Sequence, residues 1–167
     1  MVILKKATTS TDFDLGKQLF KAYAEELDID LSFQHFSHEL DSIEQQYGPP
    51  DGVLYLLLED GINAIGCFGI RKLESQICEL KRMYIKKNYR GKGFSKMLLN
   101  QAIETGQRLG YEKMRLDTLP SMQAAIHSYQ RFGFYEIPSY RFNPIEGTKY
   151  FEKALWKESG AISKACQ

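Results

Sequence analysis

Apolar residues recur with two different periods along this chain, and the change of period predicts an alternation of strands and helices. Short apolar or alternating runs predict strands at residues 2–5, 53–58, 64–70, 77–85, 113–117 and 149–155. Apolar residues three and four positions apart predict a first helix that Ser10 or Asp12 caps, and further helices at residues 35–46, 94–109 and 122–132. Glu59-Asp60-Gly61 is a turn signal that joins the second and third strands as a hairpin.

This order of elements predicts the fold class. An N-terminal helical region is followed by an antiparallel meander and then by helices that alternate with strands, which is typical of an α/β or α+β fold. The chain has 167 residues, of which 43% are hydrophobic and 13% aromatic, so it can bury one substantial core. We expect a single domain over residues 1–157 and a polar C-terminal tail at 158–167.

Charge and cysteine usage narrow the class of protein. The formal net charge is +1, so no overall field attracts nucleic acid or an anionic membrane, and no apolar run approaches the roughly 18 residues of a membrane helix. Cys67, Cys78 and Cys166 are widely spaced, which favours reduced thiols in the cytosol. His35 and His38 lack acidic or cysteine partners for a metal. We expect a cytoplasmic protein, monomeric or homodimeric, without metal, nucleic-acid partner or membrane contact.

A glycine-rich turn, Arg90-Gly91-Lys92-Gly93, lies between a predicted strand and a predicted helix. Unpaired amides at a helix N-terminus attract anions, and glycine lets the backbone approach a ligand closely. No window matches the nucleoside-triphosphate P-loop, and Lys96 stands where a dinucleotide fingerprint needs its third glycine. The turn therefore indicates a different phosphate site, or an ordinary strand-to-helix connection. Basic residues cluster around it: Lys81, Arg82, Lys86, Lys87, Arg90, Lys92 and Lys96.

The Arg-Gly-x-Gly turn resembles the acyl-CoA pyrophosphate loop of the GCN5-related N-acetyltransferase (GNAT) superfamily. A second segment, with Leu116-Asp117-Thr118 followed by a helix and Tyr129-x-x-x-Gly133-Phe134, is similar to the family's downstream pattern. The resemblance implies a GNAT-type mixed, twisted β-sheet flanked by helices and splayed between its fourth and fifth strands. Acetyl-CoA would bind in that splay.

The family pattern also implies a set of cofactor-binding residues. Asn88 and Ser95 depart from it, because the family usually has Gln or Arg and a small residue, commonly Gly, at those positions, and the family's Asn near Gln123 is absent. Both glycines of the family's turn are present, as Gly91 and Gly93. The residues implied for the pantetheine arm are Met83, Tyr84 and Ile85, and those for the pyrophosphate are Arg90, Gly91, Lys92, Gly93, Phe94 and Ser95.

Two catalytic residues follow from the resemblance. Glu79 matches the position of the glutamate that several GNAT enzymes use as a base, and a partly desolvated carboxylate would have a raised pKa. Alternatively, Glu79 is an exposed charge or a partner of Lys81 or Arg82. Tyr129 matches the tyrosine that protonates the departing CoA sulfur, although its apolar stripe also suits a core tyrosine. A strand amide near Met83 would stabilise the oxyanion.

The expected reaction is transfer of an acetyl group from acetyl-CoA to a primary amine of a small molecule, amino acid or peptide, by direct attack. The alternative is a noncatalytic acyl-CoA-binding sensor with the same fold. The resemblance places the acceptor end near residues 23–36 and 138–149, where Phe33 and Tyr140 could equally pack as a lid. The candidate substrate residues are Tyr23, Glu26, Phe33, Gln34 and Tyr140.

Overall fold

The structure, a computed structural model, describes residues 1–156, apart from the side chain of Phe33. The predicted polar tail and Cys166 lie outside the described residues. The strands are β1 (Val2–Lys6), β2 (Val53–Glu59), β3 (Asn63–Glu74), β4 (Ile77–Ile85), β5 (Lys113–Thr118), β6 (Tyr135–Ile137) and β7 (Lys149–Ala154). The α-helices are α1 (Ser10–Leu27), α2 (Phe36–Asp41), α3 (Ile43–Gln46), α4 (Phe94–Arg108) and α5 (Gln123–Arg131).

The described strands form one seven-stranded mixed sheet in the order β1-β2-β3-β4-β5-β7-β6. All neighbours are antiparallel except β4 and β5, which run parallel. One face packs against α4 and α5, and the other against α1 and the short helices α2 and α3. Because helices cover both faces, β2 is apolar almost throughout rather than alternating. The predicted α/β fold with a mixed sheet flanked by helices is confirmed.

The start of α1 differs from the prediction by its capping residue. Thr9, rather than Ser10 or Asp12, is the N-cap, and its side chain accepts a hydrogen bond from the amide of Asp12. The Asp12 carboxylate in turn accepts from the Thr9 amide, which completes a capping box. Asp12 Oδ1 also accepts from Lys5 Nζ at 2.7 Å, so the same carboxylate ties the helix to β1.

Two segments depart from the periodicity. The single helix predicted at residues 35–46 is instead two short helices, α2 and α3, and a 3-10 turn (Ser32–Gln34) precedes them. His35, between the 3-10 turn and α2, has a left-handed conformation at φ 55°. The strand β6 was not predicted because three residues are too few to show a period. It exists because β7 pairs with it, from Tyr135 opposite Glu152 to Ile137 opposite Tyr150.

The sheet opens between β4 and β5. Their pairing covers only three residue pairs, and the last joins Glu79 to Arg115, after which the strands diverge. On its other side β4 carries a bulge, because its register with β3 shifts between Lys81 and Tyr84, and Arg82 has φ 55°. The strand ends beyond Glu79 and Arg115 therefore form the walls of a cleft.

Candidate active site

Three cavities that share lining residues occupy the opening between β4 and β5. The large cleft, about 320 Å³, runs along the end of β4 to the glycine turn and the N-terminal half of α5, and its lining includes Met83, Tyr84, Ile85, Arg90, Ser95 and Ala125. The split cavity, about 30 Å³, lies where the strands part, between Lys81 and Asp117. The loop cavity, also about 30 Å³, lies under the β6–β7 connection, beside Gln34 and Asn143. Tyr23 lines all three.

The glycine turn leaves the N-terminus of α4 open. Gly91 and Gly93 have φ of 75° and 82°, a backbone region that only glycine adopts without strain, and no heavy atom would lie within 4 Å of an added Cβ at either residue. Gly93 is the N-cap, and no side chain caps the helix. The first-turn amides and the positive end of the helix dipole thus face an open concavity suited to a diphosphate.

Arg90 and Glu26 join the glycine turn to α1. Arg90 Nε donates to the carbonyl oxygen of Ile85 at 2.9 Å, and its guanidinium lies 2.5 Å from Glu26. The Tyr84 hydroxyl also donates to Glu26, at 2.9 Å. Glu26 therefore lines the large cleft, beside the candidate cofactor-binding residues. As a candidate acceptor residue it was expected at the other end of the site, where the loop cavity lies.

Glu79 is completely buried and fully engaged. Its carboxylate accepts hydrogen bonds from Arg71 at 3.0 Å, from the Tyr140 hydroxyl at 2.8 Å and from Arg141. Burial alone would raise its pKa, but the positive charges of Lys81, Arg141 and Arg71 outweigh burial and lower the pKa to about 2. The expected rise of this pKa is wrong, because the sequence did not show how many cations surround the carboxylate. A catalytic role for Glu79 stays a prediction.

A second buried carboxylate, Glu39 of α2, extends the same network. It accepts hydrogen bonds from Arg82 Nε at 2.9 Å and Arg82 Nη2 at 3.1 Å, and Arg71 lies 3.5 Å away. Arg71 thus bridges Glu39 and Glu79, which connects α2 to the β6–β7 loop through the sheet. Sequence analysis missed Glu39, since 43 residues separate it from Arg82 and no local pattern marks the pair.

Tyr129 serves both the core and the cleft. Its ring packs against Phe134 and Phe151, with centroid distances of 5.8 and 6.4 Å, while the residue also lines the split cavity. The helix that carries it ends in a Schellman motif, in which the amides of Gly133 and Phe134 donate to the carbonyl oxygens of Gln130 and Tyr129. Burial raises the pKa of the Tyr129 phenol, so it stays protonated at neutral pH.

The acceptor candidates are distributed unevenly. Tyr23 lies at the centre of the site, and Gln34 lines the loop cavity, where its side-chain oxygen accepts a hydrogen bond from Lys81 at 3.2 Å. Tyr140 contributes its hydroxyl to Glu79 and its ring to Tyr150, 5.2 Å away, which is a packing role. The Phe33 side chain lies outside the described part of the structure.

Three charged residues of the site were not predicted in this role. Lys81 and Arg82 belong to the basic run near the glycine turn, yet both are buried, and they donate to Gln34 of the 3-10 turn and to Glu39 of α2, respectively. Burial, followed by the charge of Arg82, lowers the pKa of Lys81 to about 8. Asp117 lines the split and loop cavities, and within residues 1–156 its Oδ2 atom is buried without a hydrogen-bond partner. The sequence signal that could have found them is the alternation of charged and apolar positions along the two strands, with Glu79 and Lys81 on β4 and Arg115 and Asp117 on β5.

Other chemistry finds little support in the described residues. Burial raises the pKa of the Cys67 thiol and raises that of Cys78 to about 12, so both thiols are poor nucleophiles. Within residues 1–156, no group of three His, Cys, Asp or Glu side chains is arranged around a common metal position. The same residues contain no helix with the length and apolar character needed to cross a membrane.

Comparison with known proteins agrees with this geometry. The acetyltransferase (GNAT) family pattern matches residues 17–134, which include β4, the glycine turn and Tyr129. An uncharacterized N-acetyltransferase of Schizosaccharomyces pombe is 33% identical over 147 residues, covering 87% of this chain and 90% of the relative. Another from Dictyostelium discoideum is 28% identical and covers 93% of this chain and 100% of the relative.

Solved structures give the same result for the fold. A GNAT-family acetyltransferase of Staphylococcus aureus superposes with a TM-score of 0.77 at 21% identity, covering 93% of this chain and 100% of that one. This chain therefore shares its overall fold with a solved acetyltransferase structure. Since the family pattern spans more than half of the sequence and includes the walls of the cleft, the chain belongs to the GNAT acetyltransferase family and is an acyltransferase.

Proposed function

We propose that this enzyme transfers the acetyl group of acetyl-CoA to a primary amine by direct attack, without a covalent enzyme intermediate. The observation that carries the proposal is the split between β4 and β5, where a large cleft reaches the open N-terminus of α4 and a smaller cavity lined by polar residues lies on the other side. A thioester carried on a diphosphate-bearing arm fits this arrangement, because the diphosphate needs an anion site and the thioester needs a place beside the acceptor amine.

The residues of the large cleft suit the carrier. Beyond Glu79 the edge of β4 that faces β5 has no strand partner, so the backbone of Met83, Tyr84 and Ile85 is available to the amide groups of a pantetheine arm. The amides at Gly91 to Ser95 would hold the pyrophosphate. The side chain of Arg90 is committed to Glu26 and Ile85, so we assign it the task of fixing the turn.

The residues of the split suit acetyl transfer. The amine nitrogen would attack the thioester carbonyl carbon, with a β4 amide near Met83 stabilising the oxyanion. As the carbon–sulfur bond breaks, the Tyr129 phenol would give its proton to the sulfur and regain one from the amine. Glu79 is already paired with Arg71 and Arg141. We therefore propose that it orders the acceptor end of the site.

A thermal-shift titration with acetyl-CoA, CoA and NAD tests the carrier. A ligand at 100 times its dissociation constant stabilises the native state by about 2.7 kcal/mol. We expect stabilisation by acetyl-CoA and CoA but not by NAD, and slower amide hydrogen exchange at residues 90–95 with the first two. Equal effects of the three ligands, or unchanged exchange in this stretch, would refute the assignment.

A matched pair of variants separates ligand contact from backbone strain. Gly93→Ala and Gly61→Ala both place a Cβ in open space at a positive φ, of 82° and 76°, so each costs roughly 1–2 kcal/mol of stability. Gly61 lies in the β2–β3 turn, away from the cleft. We expect only Gly93→Ala to weaken acetyl-CoA binding, by tenfold or more. Equal affinities would show that the turn does not bind the carrier.

Turnover on a panel of primary amines distinguishes the enzyme from an acyl-CoA sensor of the same fold. Transfer is followed by the release of CoA thiol together with the mass of the acetylated product. Tight acetyl-CoA binding without any acetylated product across amino acids, their amides, peptides and alkylamines would favour the sensor.

A further inference from the structure

Lys81 and Asp117 occupy equivalent positions on the two walls of the split. Glu79 pairs with Arg115 in the last hydrogen-bonded step between β4 and β5, and Lys81 and Asp117 are each two residues farther along. Residues two apart on a strand share a face, and paired strands lie about 5 Å apart before they diverge. The two side chains therefore flank the mouth of the opening on the face that carries α1 and α2.

Lys81 is a buried cation without a carboxylate partner. Only 3% of the residue is exposed, and within residues 1–156 its ammonium forms one side-chain hydrogen bond, to Gln34, and no salt bridge. Glu79 lies near enough to attract it but accepts its hydrogen bonds from Arg71, Tyr140 and Arg141. An ammonium group has three donors, so Lys81 retains donors for a ligand.

The surroundings of Lys81 carry a surplus of positive charge. Four cations, Arg71, Lys81, Arg82 and Arg141, share two buried carboxylates, Glu39 and Glu79. A buried cation without a counter-ion is costly, and an anion placed beside it removes part of that cost. The β4 wall of the split is thus complementary to a carboxylate.

Asp117 gives the β5 wall the opposite character. Its Oδ2 atom is shielded from solvent and has no hydrogen-bond partner within the described chain, although the residue lines both cavities at the acceptor end. Asp117 and Lys81 attract each other but form no salt bridge, so each remains available across the gap. A buried carboxylate oxygen of this kind needs a donor, and an acceptor amine supplies one.

We propose that the acceptor is a small zwitterion, an amino acid whose amine and carboxylate are a few bonds apart. Asp117 receives the amine and Lys81, supported by Gln34, receives the carboxylate. This inference rests on the proposed acetyl transfer and defines its substrate class. Alkylamines lack the anionic group, and most peptide N-termini carry no carboxylate at that distance.

The proposed contacts also account for the protons. The bound ammonium loses one proton to Asp117, from which it passes to solvent, and the neutral nitrogen then forms a bond to the acetyl carbon. The carbon–sulfur bond breaks, and the second amine proton reaches the sulfur through Tyr129. The products are the N-acetylated acid, CoA thiol and one proton in solution, so atoms and charge balance.

The test compares free amino acids with their carboxamides, which keep the side chain and the amine but lack the anion. The amine of an amide is less basic, so more of it is neutral at pH 7, and without recognition of the carboxylate the amides would react faster. We expect at least one free amino acid to have a kcat/KM at least tenfold above that of its amide. Faster transfer to every amide would overturn the inference while leaving acetyl transfer intact, whereas no transfer to any amine would overturn both.

Variants assign the two contacts. Lys81→Met is expected to lower the ratio of kcat/KM for the acid to that for the amide at least tenfold, whereas Lys72→Met, at an exposed position of β3, leaves the ratio unchanged. Asp117→Asn is expected to lower kcat/KM for both acceptors at least tenfold, with Asp14→Asn on the exposed face of α1 as its control. Acetyl-CoA binding measured by thermal shift verifies that each variant is folded. An unchanged ratio in Lys81→Met would refute the carboxylate contact.

Discussion

Replacement of Lys81 by methionine should make the folded protein more stable while it damages the acceptor site. The substitution keeps an unbranched side chain of similar length and removes the buried charge. Folding lowers the pKa of Lys81 from its ordinary value of 10.5 to about 8, with burial as the largest cause and the charge of Arg82 next. The lysine is therefore held at the expense of stability, as functional residues often are.

The size of the effect follows from the pKa shift. Each unit corresponds to about 1.4 kcal/mol, so keeping Lys81 charged at pH 7 costs roughly 3 kcal/mol. Lys81→Met also loses the hydrogen bond to Gln34, which costs about 1 kcal/mol of stability. The free energy of unfolding of Lys81→Met should therefore exceed that of the wild type by about 2 kcal/mol at pH 7. Between pH 8 and 10.5 the unfolded state binds more protons than the folded one, so the stability of the wild type rises with pH and the gain shrinks.

Urea unfolding of the wild type, Lys81→Met and Lys72→Met at pH 7, 9 and 10 measures these differences. Because other groups titrate equally in all three proteins, the difference between wild type and variant isolates Lys81. We expect the advantage of Lys81→Met to fall from about 2 kcal/mol toward zero or below over this range. A variant that is less stable than the wild type at pH 7, by an amount that does not change with pH, would refute the reasoning. Lys81 would then be a structural counter-ion of Glu79.

Further predictions concern Glu79, Tyr129 and Thr9. Glu79→Ala leaves Arg71 and Arg141 without their shared carboxylate and should cost roughly 3–5 kcal/mol in urea unfolding; a loss below 1 kcal/mol would contradict the network. Because folding depresses the pKa of Glu79 to about 2, the stability of the fold should fall as the pH drops from about 4.5 toward 2. Circular dichroism measures this loss, and a stability that does not change over this pH range would contradict the prediction. Tyr129→Phe keeps the ring packing, so melting should barely change while kcat falls roughly 100-fold; full activity would exclude the phenol as acid. Thr9→Ala removes the capping box and should cost about 1 kcal/mol, with the exposed Thr11→Ala as control.

Local signals were sufficient for most of the fold. The strand Ile77–Ile85 and the start of α4 at Phe94 were predicted at their observed ends, because a change of period and a glycine pair mark them. The hairpin of β2 and β3 followed from Glu59-Asp60-Gly61. Periodicity gave no signal for β6, because that strand depends on its pairing with β7. The pattern also indicated the wrong N-cap for α1, because Thr9 lies one residue before the predicted Ser10.

The sequence by itself determined the open N-terminus of α4, because the two glycines and the helix that follows are consecutive and their backbone geometry is local. Only the tertiary structure decided how charges are arranged where β4 and β5 part. Glu39, Arg71 and Glu79 meet from three separate segments, and their mutual fields reverse the pKa shift that burial alone would give Glu79. Whether Lys81 is a surface charge or a buried cation facing Asp117 depends on the bulge in β4 and on where β4 and β5 part, and those are properties of the assembled sheet.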